Sequence, residues 1–267
     1  TVMTIEDGLV AVDWFAAAGS PSPLGTAATV NLGSGTSTGG IRYIGSGTTV
    51  NRTLNLSGSA GGGVIDASGA GALTITNLTA TGSGSKTLTL TGTSTTANSI
   101  GAIPSPTAPY ILSVVKDGPG LWRLTGSSSF TGPFTVKNGT VVATVNGSQS
   151  GDAGAFGTAG APIVGDVDSG ATGTATLLAM ANMNAGVNVA SGGGAQQVLL
   201  GSGRTSGTSQ FAFSTNITLG RAVTLVSSGS GVADFDNNWR NAAGTADPTV
   251  NVTIGAAGYL GTVRLTS

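Results

Sequence analysis

The sequence predicts an all-β chain wound as a single right-handed parallel β-solenoid, an elongated rod. Three observations carry that prediction. Apolar and polar residues alternate in short runs along the chain, as half-buried strands do. Glycine-rich turns separate the runs, with 46 glycines among 267 residues. Several runs also resemble one another at a fixed spacing, and repeated short strands with glycine corners favour a solenoid.

In chain order, residues 11–18 hold the best helix candidate, a short stretch that reads equally well as strand and turn. Alternation is plain at Thr53-Leu54-Asn55-Leu56, Leu73-Thr74-Ile75-Thr76 and Thr87-Leu88-Thr89-Leu90-Thr91. Further strand-like runs occupy 136–145, 187–189, 216–219, 223–226, 249–254 and 262–266. The outward partner is often Thr, whose branched side chain suits a strand. Residues 33–40, 58–63 and 191–194 read as glycine-rich turns.

The clearest repeat joins Leu54-Asn55-Leu56-Ser57-Gly58, Leu88-Thr89-Leu90-Thr91-Gly92 and Trp122-Arg123-Leu124-Thr125-Gly126, which start 34 residues apart twice in succession. Their Gly and Thr content argues against helices. In each, two apolar side chains should point inward and the glycine should turn the chain. Coils of about 20–25 residues, each advancing about 4.8 Å, would give about 11–13 coils and a rod of about 50–60 Å. Stacked ladders need only a thin core of Val, Leu, Ile and Ala, which suits a chain with 5% aromatic residues. The ends of such a rod are open strand edges that require a cap or a partner. Residues 1–267 are expected to form one continuous solenoid. The start at Thr1 and the end just after a strand-like run suggest a processed or excised segment of a larger protein.

Composition removes several function classes. The chain has no Cys and no His, so thiolate metal sites and Ser-His or Cys-His catalysis are excluded. Ten basic against eleven acidic residues give a net charge of −1, which leaves no electrostatic footprint for nucleic acid. No run approaches 18 consecutive apolar residues, so no membrane-spanning helix is expected in this segment. A hydrophobic fraction of 39% with little net charge is not that of a disordered chain.

At Lys116 the sequence becomes recognisable. Lys116-Asp117-Gly118-Pro119-Gly120-Leu121-Trp122-Arg123-Leu124-Thr125-Gly126 leads into Ser129-Phe130-Thr131-Gly132 and then Phe134-Thr135-Val136-Lys137-Asn138-Gly139-Thr140-Val141-Val142. This stretch, 116–142, is similar to the autotransporter-associated β-strand repeat. Ser129 and Phe130 stand where that family usually has Asn and Tyr, and Pro133 where it has Gly or Thr; the spacing is undisturbed. Looser resemblance extends to 22–25, 31–35, 49–54 and 84–90 upstream, and to 154–165 and 215–225 downstream. The resemblance implies a parallel β-helix exported to a bacterial cell surface or beyond, as in autotransporter passengers. It implies no catalytic residue.

Among candidate chemical motifs, Gly35-Thr36-Ser37-Thr38-Gly39 fits the nucleophile-elbow pattern, but without His no triad can form. Gly82-Ser83-Gly84-Ser85-Lys86-Thr87 approaches a phosphate loop, but Ser85 replaces a required glycine and Lys86 opens a strand. The acidic pairs are of more interest. Asp166-Val167-Asp168 and Asp234-Phe235-Asp236-Asn237-Asn238 each place two carboxylates on one strand face or in one loop. They read as solvated turn residues, as Ca²⁺ ligands, or as the paired carboxylates of a glycoside hydrolase. Residues 234–240, including Trp239 and Arg240, read as a protruding loop that could grip a ligand. Trp14, Phe15, Tyr43, Trp122 and Trp239 could stack on sugars, although core ladders and loop anchors are their commoner use. Seven Asn-x-Ser/Thr triplets are expected by chance in so Thr-rich a chain.

The resulting expectation is a non-enzymatic extracellular structural module, a surface stalk or filament block, with end-to-end self-association and no required cofactor. The alternatives are an adhesin that binds glycans or partner cells through its loops and, less favoured, a polysaccharide-cleaving enzyme.

Overall fold

The computed structural model describes residues 2–168, 170–192, 194–205, 210–236, 239–241 and 250–266. Every strand-to-strand pairing in its sheets is parallel. A ten-stranded sheet runs from Gly8–Val12 to Trp239–Asn241, and a nine-stranded sheet from Thr48–Val50 to Val252–Ile254. A third face holds a four-stranded sheet at one end, Met3–Ile5 to Leu78–Ala80, and a three-stranded sheet at the other, Gln210–Phe213 to Thr262–Thr266. The chain visits the faces in rotation, which is a β-solenoid and not a closed barrel. No helix occurs among the described residues; Gly8–Val12 is a strand, and the candidate helix at 11–18 runs from its end into a turn.

The coil length follows from the registers. Thr87 pairs with Gly62 and Ile75 with Val50, 25 residues apart in each case. Other steps range from 19 residues at Leu121–Thr140 to 36 at Gly139–Ala175. Ten stacked strands span about 43 Å at about 4.8 Å per step, fewer coils and a shorter rod than the sequence suggested, because several coils carry long excursions. The 34-residue repeat is also explained differently. Leu54 lies on the third face, Leu88 in the ten-stranded sheet and Trp122 in the nine-stranded sheet. A step of 34 is therefore one coil of about 25 plus one of its three faces. The same division splits the predicted strand at 136–145: Phe134–Val136 and Gly139–Ala143 lie in different sheets, with a corner at Lys137 and Asn138.

Inward rows form the core. In the ten-stranded sheet Ile41, Ile65, Leu90, Lys116, Val136 and Val164 stand on successive rungs. In the nine-stranded sheet Trp122, Val141, Leu177, Leu200 and Leu225 do the same. Where the third face has no regular strand, aromatic rings fill the space. Phe130 and Phe156 are buried there, and Phe134 of the ten-stranded sheet meets Phe156 edge-on at 5.2 Å between centroids. The two ends of the stack differ. Ile5 and Val12 of the first coil are 4% and 2% exposed, whereas Ile254 and Leu265 of the last are 59% and 53% exposed.

Replacing Phe134 with Ala should cost about 3–5 kcal/mol, the range for a buried ring that leaves a cavity. Thr87→Ala on the exposed side of its strand should change stability by about 0.5 kcal/mol or less. Urea denaturation of both variants compares the two.

Candidate functional site

A chain that turns between sheets at every corner must find donors there for carbonyls that leave the ladder. Long basic side chains supply them. Arg52 is 1% exposed, and its guanidinium donates to the carbonyls of Ala16 at 2.8 Å, Ala27 at 2.8 Å, Ser20 at 2.9 Å and Ala17 at 3.3 Å. It thereby ties the long N-terminal excursion to the third face. The Lys86 ammonium donates to the carbonyls of Gly58, Ser83 and Gly84.

Lys116 is fully buried in a row of aliphatic residues. Its Nζ donates to the carbonyls of Asp117 at 3.0 Å, Gly118 at 2.6 Å and Asn138 at 2.8 Å. Burial pulls this ammonium down to about 8, and the neighbouring Asp117 carboxylate opposes the shift. Gly139 closes the cage with φ +75°, and a Cβ there would lie 2.6 Å from the Lys116 Nζ. Only glycine meets both demands at that corner.

The same corner continues as a polar spine. Gln196 donates from Nε2 to the Lys137 carbonyl at 2.7 Å and accepts the Asp166 amide on Oε1 at 2.7 Å. Arg221 donates to the Ala190 carbonyl at 2.9 Å, to Gln196 Oε1 at 3.3 Å and to the Asp166 carbonyl. Side chains thus bind successive coils from Lys116 to Arg221.

The acidic pairs fall into this pattern. Asp166 and Asp168 both face the Lys137 ammonium, at 3.4 and 4.0 Å, and the Asp168 amide donates to Asp166 Oδ1 at 3.2 Å. Asp234 and Asp236 share one side of the strand Val232–Asp236, so this segment is not the loop the sequence suggested. Asp234 is paired in register with Arg264 of the adjacent strand, which grips both carboxylate oxygens, with Nε at 3.1 Å from Oδ1. That pairing holds the Asp234 carboxyl below the usual range. Thr266 donates to Asp234 at 3.2 Å. No group of three or more metal-ligating side chains gathers among the described residues.

Trp239 and Arg240 also leave the predicted loop. Both lie in the strand Trp239–Asn241 of the ten-stranded sheet, a different face from Asp234. Trp239 is an inward rung above Ile217, with its ring 5.9 Å from Phe235, and Arg240 pairs with Thr218. Asn237 and Asn238 lie outside the described residues. Tyr43 and Trp122 are buried, Phe15 nearly so, and Trp14 is 47% exposed.

Sequence reasoning missed one surface. The outward side of the nine-stranded sheet is apolar over four coils, where Val142, Leu178, Leu199 and Val226 form a second buried cluster. The signal was present as doubled apolar pairs, Val141-Val142, Leu177-Leu178, Leu199-Leu200 and Leu225-Val226, where alternation would put a polar residue. An excursion between Gly255 and Gly261, whose amides donate to Leu225 and Ser227, folds back over this cluster and packs Ala256 and Tyr259 against it. Beside Tyr259 opens a groove of about 440 Å³, lined by Pro119, Asn138, Thr140, Thr174, Thr176 and Leu199 among others.

Residues 114–143 match the family model of the passenger-associated-transport-repeat. They enclose the 116–142 stretch singled out in the sequence, and they comprise the Lys116 cage and the two shortest coil steps. Comparison with curated proteins and with solved structures gives no match.

Lys116→Met should destabilise the fold by about 1–3 kcal/mol at pH 7, because three carbonyls lose their donor. It should also remove a pH dependence. Between about 8 and 10.5 the unfolded lysine holds a proton that the folded one has shed. Stability contributed by this group therefore rises with pH across that window and levels off above it. Chemical denaturation of both proteins at pH 7 and at pH 9.5 separates the two effects.

Proposed function

We propose that this chain is a non-enzymatic stalk segment of a bacterial passenger-type protein, exported to the cell surface or beyond. The match of residues 114–143 to a passenger-associated repeat supports the setting. The observation that carries the mechanical role is the pair of long parallel sheets wound around one row-built core and stitched at the corners by buried cations. Each acidic pair has a cationic partner, Lys137 for one and Arg264 for the other. That supports a structural over a hydrolytic use of these carboxylates, and the reading requires no cofactor. Electron microscopy of the dilute protein should show rods about 43 Å long. Compact round particles would overturn the reading.

End-to-end self-association is a second element of the proposal, favoured by the exposed inward rows of the last coil. Val252, Ile254 and Leu265 present apolar side chains where a further rung, from a continuation of the same chain or from a second copy, would bury them. Sedimentation velocity should show association that grows with concentration. Ile254→Lys with Leu265→Lys should abolish it while leaving the melting temperature within a few degrees. Concentration-independent single rods in the unaltered protein would remove this element and leave the stalk reading standing.

A further inference from the structure

We propose that the groove beside Tyr259 is a binding site for a neutral oligosaccharide. Its size, about 440 Å³, falls within the range of ligand clefts. Its walls combine two kinds of surface. Tyr259 and the edge of the largely buried Leu199 contribute apolar surface, and Thr140, Thr174 and Asn138 contribute polar surface, with Thr176 itself 3% exposed. No Lys, Arg, Asp or Glu is among the described residues that line it. A sugar ring matches that combination, with an apolar face to lie against an aromatic ring and a rim of hydroxyls to bond to neighbouring hydroxyls and amides. The absence of lining charge selects against sulfated, sialylated and uronic-acid glycans, whose charge would be desolvated without a partner.

The hydroxyl rows are set by the backbone. Thr140 and Thr176 are paired on adjacent rungs, and Thr174 lies two residues before Thr176 on the same side of its strand. The ladder therefore fixes the backbone positions of Thr140, Thr174 and Thr176. The turn that presents Tyr259 is closed by its amide on the Ala256 carbonyl at 3.1 Å. A second groove, lined by Ser148, Gln149, Asp152, Asn184, Ser214 and Thr215, has no apolar wall for a ring to lie on.

The site is independent of the stalk reading and is tested separately from it. The full chain is applied to an array of neutral glucans, galactans, mannans and xylans beside sulfated, sialylated and uronic-acid glycans. Binding is expected among the neutral set. Thr140→Val with Thr174→Val should weaken it about tenfold at unchanged melting temperature, the loss that two neutral hydrogen bonds account for. Tyr259→Ala should weaken it at least as much, and Tyr259→Phe should retain most of it. No binding to any neutral glycan, binding confined to the acidic set, or full binding by the double Thr variant would each overturn the proposal.

Discussion

The coils around Arg52, Lys86, Lys116 and Arg221 depend on side-chain donors for carbonyl groups at their corners. Along each face the parallel ladder satisfies the backbone, but a chain that turns onto the next face leaves carbonyls pointing into the corner. A buried carbonyl without a donor costs about 1–3 kcal/mol, and the penalty would recur on each coil. Arg52, Lys86 and Lys116 answer it with several donors on one side chain, and Gln196 and Arg221 extend the same solution. This explains why a chain with only ten basic residues buries three of them. Burying a charge is unfavourable unless it is well bonded. Here each cation is surrounded by carbonyl dipoles, and the depressed Lys116 shows what desolvation still costs.

The three-faced cross-section sets both what could be read in advance and what was misread. Alternation identified strands because each strand has one inward side, so Leu88 and Leu90 face the core while Thr87 faces solvent. The 34-residue repeat does not give the coil because similar segments recur on any face. Nothing in Leu-x-Leu-x-Gly says which of the three sheets it joins, so the spacing of 34 combines one coil of about 25 with one face. The register of Thr87 with Gly62, which sets the true step, depends on pairing between distant segments that no local pattern encodes.

The polar residues were legible in kind but not in partnership. Asp234 and Asp236 do share a strand side, as their spacing required, but the partner that gives Asp234 its role is Arg264, thirty residues later and directly in register. Asp166 and Asp168 meet Lys137 from the preceding coil. The buried lysines, by contrast, could have been found by parity alone. Lys116 follows Leu112 and Val114 at every second position, and Lys86 precedes Leu88 and Leu90 in the same way. A lysine on the inward side of a strand must be bonded to something.

The outward apolar surface of the nine-stranded sheet departs from the rule that organises the rest of the rod. A thin solenoid needs only its inward rows, and apolar residues on both sides of a sheet require a second covering layer. Val142, Leu178, Leu199 and Val226 obtain that layer from their own chain, through the excursion that carries Ala256 and Tyr259. The covering is local, and the groove opens beside it against the Thr140 and Thr176 rungs. Rungs fixed by continuous ladders lose little freedom when a ligand contacts them, which lowers the cost of association. The same regularity that makes the rod stiff thus makes its flank a preorganised surface, and the one excursion that interrupts the regularity gives that surface a wall.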